Sequence, residues 1–276
     1  MVVEVGPAGR RAIPCSKGSL LPLPGVPRAG SNSAFADRYD RIPGVGSVAL
    51  ETLLDRPVWS CLTTHHAHFA RGDGLARRYD ESISPIGAIA GGTPAHVTAL
   101  EALVGAGHDV ALIGPAAPEL PGNWRTLYAS RLIQMIRADR SPLPEGELEA
   151  LALGAADVPE ILELVELTKP GPFRLRTIEL GRYLGVRERG RLVAMAGERM
   201  WIGEAREVSA VCTHPDVQRR GYARALVGRV VNRMLRSGET PMLHVDHPNR
   251  RAIEMYRALG FVPRAELALL HAMRIT

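Results

Sequence analysis

The stretch VCTHPDVQRRGYARAL, residues 211–226, joins an apolar run to an amphipathic one through a turn rich in arginine and glycine. The run that leads into it, EVSAVCT (residues 207–213), is rich in the β-branched residues typical of strands. Beyond the turn, apolar residues recur at the spacing of one buried helix face: Val227, Val230, Val231, Met234 and Leu235. The stretch therefore predicts a strand, a turn and a helix in direct succession.

Such a turn has the properties of an anion site. The first backbone N–H groups of a helix have no partner within the helix and lie at the positive end of its dipole. Gly221 and Ala223 let a ligand approach the main chain, and Arg219, Arg220 and Arg224 add charge suited to a pyrophosphate. The turn is neither a P-loop nor a dinucleotide-binding turn, because G-K-[ST] and G-x-G-x-x-G are both absent. Taken alone, an ordinary loop with solvated arginines would also explain it.

A second segment, LHVDHPNRRAIEMYRALGF (residues 243–261), changes that interpretation. The two segments together resemble the signature segments of the GNAT superfamily of N-acetyltransferases, over roughly residues 147–276. The family's Q/R-x-x-G-x-G/A turn is similar to residues 218–223, with Ala223 in place of the last glycine. Its later Asn, Tyr and Leu-Gly-Phe pattern is similar to Asn249, Tyr256, Leu259, Gly260 and Phe261.

The resemblance implies that acetyl-CoA is the acyl donor. The backbone of residues 211–213 would hydrogen-bond the pantetheine arm, and residues 218–224 would hold the pyrophosphate. A strand splayed from its neighbour offers backbone groups with which an amide-bearing arm can pair like an added strand. The implied cofactor-binding residues are Val211, Cys212, Thr213, Gln218, Arg219, Arg220, Gly221, Tyr222, Ala223, Arg224 and Asn249.

Acyl transfer to an amine needs a neutral nucleophile, stabilisation of the oxyanion and a proton for the departing thiolate. Glu207 matches the family's strand glutamate base, and His244 lies where other members have an acidic residue. The resemblance favours Glu207, with His244 relaying a proton through water; a surface carboxylate and a packed strand histidine are the plain alternatives. Tyr256 corresponds to the general acid that protonates the coenzyme A sulfur, with a core tyrosine as its alternative. Cys212 is not expected to be a nucleophile, because the family transfers directly in a ternary complex.

The predicted fold class is α/β (α+β). It comprises a GNAT fold, with a mixed, mostly antiparallel central sheet flanked by helices, and an N-terminal α/β domain. Residues 1–48 are predicted to be a disordered Gly/Pro-rich leader, residues 49–142 an accessory domain, and residues 147–276 the GNAT domain. The motifs look similar to glycine N-acyltransferase C-terminal domains and to bacterial acetyltransferases with an extra N-terminal domain. The accessory domain would then be a degenerate GNAT-like half without the arginine–glycine turn.

Local patterns predict the elements of the accessory domain. They indicate a helix over residues 56–70, a strand over 83–91, a helix that starts at the capping residue Thr93, and strands over 109–114 and 131–138. In the GNAT domain a helix begins at the capping Asn249, and Gly260 ends it before a final strand hairpin.

Composition excludes several classes of protein. The net charge is +5, but lysine occurs only at Lys17 and Lys169 and no basic stripe with interleaved aromatic residues appears, so no nucleic-acid partner is expected. No apolar run approaches the ~18–20 residues of a membrane helix, so no membrane partner is expected. Three cysteines without a C-x-x-C pair indicate neither a disulfide framework nor a zinc site, and favour a cytoplasmic location.

A weaker metal-site candidate is the sequence HHAH, residues 65–68. A continuous helix would place Cys61, His65 and His68 along one face, but a fourth ligand is not evident, so no metal is expected.

The sequence predicts an acetyl-CoA-dependent N-acetyltransferase. Its acceptor would be a small-molecule or amino-acid-like amine, and the protein would be a monomer or homodimer. The alternative is an acyl-CoA-binding sensor or interaction module with little turnover. Which amine accepts the group, and whether the donor is acetyl-CoA or a longer acyl-CoA, stay open at this point.

Overall fold

The computed structural model describes residues 48–275. Within that range, eleven strands form one mixed sheet flanked by six α-helices. The strands are β1 (Ala70–Gly72), β2 (Ala76–Tyr79), β3 (Ile86–Ile89), β4 (Asp109–Gly114), β5 (Trp124–Ile136), β6 (Leu151–Leu153), β7 (Tyr183–Glu188), β8 (Arg191–Ile202), β9 (Ala205–Thr213), β10 (Thr240–Asp246) and β11 (Val262–Arg274). The helices are α1 (Val48–Asp55), α2 (Pro57–Thr63), α3 (Pro94–Leu103), α4 (Val158–Thr168), α5 (Tyr222–Arg236) and α6 (Arg250–Arg257).

The sheet has the order β1-β2-β3-β4-β11-β5-β10-β9-β8-β7-β6. Two of its neighbouring pairs, β3–β4 and β9–β10, are parallel, and the others are antiparallel. The predicted fold class, a mixed and mostly antiparallel sheet flanked by helices, is confirmed.

Side-chain alternation along the strands assigns the helices to the two faces of the sheet. On β5, Ile133 and Met135 pack with α5 and α6, whereas Leu132 and Ile136 pack with α1 and α2. On β4, Val110 and its alternate neighbour Leu112 pack against α3, on the face opposite α1 and α2. Helices α3, α5 and α6 therefore cover one face, and α1 and α2 cover the other.

The topology repeats about the centre of the sheet. Helix α3 connects the parallel strands β3 and β4, and α5 connects the parallel strands β9 and β10. The two halves exchange a strand each: β11 lies between β4 and β5, and β5 lies between β10 and β11. The boundary predicted between residues 142 and 147 falls between β5 and β6, but the exchange joins both halves into a continuous sheet. The predicted leader, residues 1–48, lies outside the described residues except for Val48.

Most of the predicted elements are confirmed, including α3 with Thr93 as its N-cap and α6, whose N-cap Asn249 accepts a hydrogen bond from the N–H of Ala252. The helix predicted over residues 56–70 is wrong beyond Thr63. The hydroxyls of Thr63 and Thr64 donate to the carbonyls of Trp59 and Ser60, four residues back, and such bonds compete with helix propagation.

The final hairpin is also wrong, because residues 262–274 form the single strand β11. This strand pairs on one side with β4 and on the other with β5. Two short strands of a hairpin would not provide the single long strand that joins β4 to β5. Sequence patterns also missed α1 and the short strands β1 and β2.

Among the helices that the structure describes, none has the length and apolar character needed to cross a bilayer.

Candidate functional site

The centre of the candidate site is a cleft between β9 and β10. These parallel strands pair at only three positions, the last of them Glu207 with Met242. Beyond that point β10 continues beside β5 as far as Asp246, while β9 continues beside β8 as far as Thr213. The strands therefore separate toward their carboxyl ends, and residues 211–213 lie along one wall of the cleft.

A β-bulge shapes that wall. The register between β8 and β9 shifts between the pairs Met195–Cys212 and Gly197–Ser209, and Ala210 has a φ of 53°. A left-handed conformation is unfavourable for alanine, and bulges commonly redirect a strand beside a functional site. No glycine marks this position, so no sequence signal predicted the bulge.

The arginine–glycine turn lies between the end of β9 and the start of α5. Gly221 is the N-cap of α5, with a φ of 84°, and Arg219 also has a left-handed φ, of 65°. A Cβ added at Gly221 would meet no atom within 4 Å, so the main chain there is open to a ligand. The turn therefore presents the N-terminus of a 15-residue helix at the wide end of the cleft.

The arginines of the turn differ in their contacts. Arg220 forms an ion pair with Glu188 at 3.1 Å, and the Tyr222 hydroxyl donates to the same carboxylate at 2.5 Å. Arg219 and Arg224 are exposed and form no ion pair with any residue from 48 to 275. Of the three predicted arginines, these two have guanidinium groups available for an anionic ligand.

Two buried polar atoms near the cleft have no protein partner. Thr213 Oγ1, at the end of β9, and Asn249 Nδ2, before α6, form no hydrogen bond within the described part of the chain. A buried polar group without a partner is costly, so these atoms need a ligand or water to bond them. Both residues belong to the predicted cofactor-binding set, and their donor groups fit an amide-bearing, phosphate-bearing ligand.

Tyr256 lies on the face of the sheet covered by α5 and α6. It is buried with Val211 and Val245, and its ring meets that of Phe261 edge-on at 5.9 Å between centroids. His244, between Leu243 and Val245 on β10, points to the opposite face because neighbouring strand residues alternate. The cleft thus separates Tyr256 on one face from His244 on the other.

Glu207 and His244 are brought together in a buried network. The His244 Nδ1 lies 2.8 Å from Glu207 Oε1, and Arg199 holds the same carboxylate with two hydrogen bonds of 2.7 and 2.8 Å. Glu207 and His244 have no exposed surface, and Arg199 is 2% exposed. Burial raises the pKa of the Glu207 carboxyl, but the charge of Arg199 and the hydrogen bonds from Arg199 and His244 act in the opposite direction, and the pKa lies well below its ordinary value.

The other side of the His244 ring is also fixed. Its Nε2 lies 3.0 Å from Gln134 Nε2, and Gln134 Oε1 accepts a hydrogen bond from Arg264 at 2.8 Å. Since Arg264 requires the oxygen at that position, the amide nitrogen faces the ring, and His244 carries its proton on Nδ1 toward Glu207. Burial lowers the pKa of His244, against the opposing effect of Glu207. His244 is therefore neutral near pH 7.

Sequence reasoning missed three residues of this network: Arg199, Gln134 and Arg264. Arg199 is separated from Glu207 by a hairpin turn, and Gln134 comes from the exchanged strand β5. The sequence did contain one signal for Arg199: an arginine on β8 and a glutamate on β9, two strands joined by a short turn, can form an ion pair across the strands. Nothing local indicated that β5 would lie beside β10.

The residues of the weaker metal-site candidate, Cys61, His65 and His68, do not lie along one helical face. Helix α2 ends before His65, Cys61 is buried, and the exposed His65 stacks on Trp201 at 4.1 Å. Burial raises the pKa of the Cys61 thiol to about 11. Within residues 48–275 no group of three or more histidine, cysteine or acidic side chains is placed to hold a metal ion.

Comparison with known proteins gives consistent matches. The family described as FR47-like protein matches residues 183–268. A solved structure from Novosphingobium aromaticivorans DSM 12444, named as an acetyltransferase from the GNAT family, is 35% identical with a TM-score of 0.72; the match covers 81% of this chain and 99% of that one.

More distant structures share the fold. The GCN5-related N-acetyltransferase from Kribbella flavida is 17% identical with a TM-score of 0.53, over 83% of this chain and 96% of its own. A GCN5-related N-acetyltransferase-like protein from Streptococcus suis 89/1591 is 14% identical with a TM-score of 0.50, over 83% of this chain and 100% of its own. No curated protein matches the chain.

Proposed function

The chain belongs to the GNAT superfamily of acetyltransferases, and from that premise we propose that it transfers the acetyl group of acetyl-CoA to a primary amine by direct attack in a ternary complex. One observation carries the proposal: the β9–β10 cleft opens beside the N-terminus of α5, and two buried polar atoms near the cleft, Thr213 Oγ1 and Asn249 Nδ2, have no hydrogen-bond partner within the described part of the chain. An extended thioester donor with a diphosphate has the shape and charge to match both features.

Acetyl-CoA would be held by the residues along the cleft and the turn. The backbone of residues 211–213 would bind the amides of the pantetheine arm, as an added strand binds a sheet edge. The first N–H groups of α5, together with Arg219 and Arg224, would bind the pyrophosphate. The donor supplies a thioester carbonyl, and the protein's own residues supply the proton transfers.

We assign deprotonation of the acceptor amine to the Glu207–His244 pair. An alkylamine resembles lysine, with a pKa of about 10.4, so the site must remove a proton before attack. Glu207 is a poor direct base, because Arg199 lowers its pKa and the hydrogen bonds of Arg199 and His244 occupy its oxygens. His244 is neutral, and Glu207 would stabilise its protonated form. For His244 Nε2 to accept a proton, the Gln134 amide must first move aside.

Tyr256 is the proposed general acid for the departing thiolate. It packs beside Val211, at the wall of the cleft, on the face opposite His244. Proton removal by His244 and proton donation by Tyr256 would then occur from opposite sides of the cleft. Direct transfer gives Cys212 no covalent role.

The acceptor side is shaped by the N-terminal half of the chain. Helices α1 and α2 cover the His244 face, and the carbonyl of Leu54 in α1 accepts a hydrogen bond from Gln134. We propose that residues 49–142 act as an accessory domain that selects a small-molecule or amino-acid-like amine.

Isothermal titration and a thiol assay test the proposal together. Acetyl-CoA should bind the full chain, and one or more members of a panel of amino acids and alkylamines should cause release of free coenzyme A. Binding without release across the whole panel would favour the sensor module over the enzyme. Failure of acetyl-CoA to bind would refute the cofactor assignment itself.

A further inference from the structure

A cavity of about 930 Å³ lies in the N-terminal half, away from the β9–β10 cleft. It is lined by residues 88–92, which follow from β3 into the turn before α3, and by residues 112–119, which follow from β4. Arg56 and Trp59 complete its wall. This volume is at the upper end of the range typical of small-molecule pockets.

The topology of the β9–β10 half is repeated in the N-terminal half, and the cavity lies at the position in that repeat that corresponds to the β9–β10 cleft. Strands β3 and β4 are parallel and pair only at Ile86–Ala111 and Gly87–Leu112 before they separate. Helix α3 connects them as α5 connects β9 and β10. In open α/β sheets, ligands commonly bind in the crevice outside the carboxyl ends of parallel strands, and β3 and β4 form a local crevice of the same type.

The residues of the cavity do not suit a coenzyme A molecule. The turn before α3 is Gly91-Gly92-Thr93, without the arginines that precede and follow Gly221 in the other half. In addition, the carbonyls of Ile89, the last residue of β3, and of Ala90, the next residue, both accept hydrogen bonds of 2.7 Å from Arg56. Only one guanidinium would be present to bind a pyrophosphate. The carbonyls of Ile89 and Ala90 already accept hydrogen bonds from Arg56, so they would not be available to the amides of a pantetheine arm.

Arg56 provides a cationic group at the wall of the cavity. Only one of its terminal nitrogens forms hydrogen bonds within the described chain, so the remaining N–H donors stay available at the cavity wall. The guanidinium is held in place by those two bonds and by the Trp59 ring at 5.5 Å. A fixed guanidinium with available donors is matched by a carboxylate.

The rest of the wall is mostly apolar. Ile89, Leu112, Ile113 and the alanines and prolines of residues 115–118 present hydrocarbon surface, and the exposed carboxylate of Glu119 disfavours a second negative charge. We propose that this cavity is a ligand site for a small organic acid, with one carboxylate on Arg56 and a flat or branched apolar body against these residues.

The site would also be coupled to the rest of the sheet. Ala88 and Ile113, which line the cavity, belong to the same apolar cluster as Met242, which pairs with Glu207 in register, and Met200, whose N–H donates to the Glu207 carboxylate. A bound acid should therefore stabilise the whole fold and raise its melting temperature as its concentration exceeds the Kd.

The test is calorimetry and thermal melting of the full chain with phenylacetate, 3-phenylpropanoate and hexanoate, and with 3-phenylpropanol as the uncharged control. At least one acid should bind and raise the melting temperature, and the alcohol should bind at least about tenfold more weakly, because it cannot pair with Arg56. Ala117→Phe, which fills the cavity, should weaken acid binding at least about tenfold. Ala152→Phe, on the exposed face of β6, is the matched control and should bind like the wild type.

Should Ala117→Phe fail to fold, Arg56→Gln takes its place and should abolish the preference for the acid over the alcohol. The proposal is overturned if none of the three acids binds, if the alcohol binds as well as the acids, or if a folded Ala117→Phe binds the acids like the wild type. Two acetyl-CoA molecules per chain, with the second lost in Ala117→Phe, would also overturn it and indicate a second cofactor site.

Discussion

Replacing Glu207 by glutamine should destabilise the protein strongly, because it leaves a buried guanidinium without a counter-charge. Arg199 is 2% exposed and donates two hydrogen bonds, of 2.7 and 2.8 Å, to the Glu207 carboxylate. Removing one partner of a buried ion pair costs about 3–5 kcal/mol. For a fold of this size that loss lowers the melting temperature by roughly 6–20 °C. Glutamine keeps the side-chain volume, so the lower half of both ranges is expected.

The double variant Arg199→Met, Glu207→Leu separates charge from packing. With both charges removed, no buried charge lacks its counter-charge, although the Nδ1–H of His244 loses its acceptor. The double variant should therefore be more stable than Arg199→Met alone, which leaves a buried carboxylate without its guanidinium. The assay is denaturant unfolding followed by circular dichroism near neutral pH. A loss below about 1 kcal/mol in Glu207→Gln would refute the reasoning, since exposed pairs contribute no more than that.

The same variant has a defined pH dependence. The pKa of Glu207 is lower in the folded protein than its ordinary value. Its contribution to stability is therefore complete above the unfolded pKa of about 4.3 and is lost as the pH falls through the folded pKa. The acid-dependent loss of stability should be smaller in Glu207→Gln than in the wild type.

Four further outcomes are expected. Tyr256→Phe should lower kcat by about 10²-fold or more while the Kd for acetyl-CoA stays nearly constant, because the ring packing survives and only the proton donor is lost; a wild-type kcat would contradict the assignment. Gly221→Glu should abolish acetyl-CoA binding in calorimetry, since a carboxylate would stand at the N-terminus of α5, and unchanged affinity in a folded variant would exclude the turn as the pyrophosphate site. The pH–rate profile should rise through an apparent pKa below 6.5, the ordinary histidine value, because burial lowers the pKa of His244; the rising limb should vanish in His244→Gln, and its persistence there would remove His244 as the base. Burial lowers the pKa of His66 to about 4, so the wild type should lose roughly 3 kcal/mol of stability as the pH falls from 6.5 to 4, and His66→Phe should flatten that slope in pH-dependent melts.

The GNAT half was predictable because its signals are local. The turn at residues 218–224 and the capping residue Asn249 depend on residue types a few positions apart, and both occur where the pattern placed them. Helix α5 follows from the regular spacing of its buried residues, such as Val227 and Val230. Glu207 and His244 were each singled out separately, although their contact across two strands was not.

The features that could not be predicted from the sequence depend mostly on contacts between residues far apart in the chain. Gln134 reaches His244 only because β5 is inserted between β10 and β11, and no residue of β5 indicates that partner. The left-handed conformation of Ala210 is imposed by the bulge between β8 and β9, since alanine has no preference for it. Likewise, Thr63 and Thr64 end α2 through hydrogen bonds from their hydroxyls to backbone carbonyls. The spacing of apolar residues, on which the helix prediction was based, contains no information about such bonds.

Transfer of a labelled acetyl group from acetyl-CoA to an amine, followed by mass spectrometry together with thiol release, tests the central claim most directly. Acetylated amine and free coenzyme A should appear in equal amounts, at a rate that Tyr256→Phe reduces by about 10²-fold or more. Initial rates with both substrates varied should give intersecting lines, as a ternary complex requires. Acetyl-CoA that binds but yields no acetylated amine above the protein-free control, across the amino acids and alkylamines of the panel, would contradict the account.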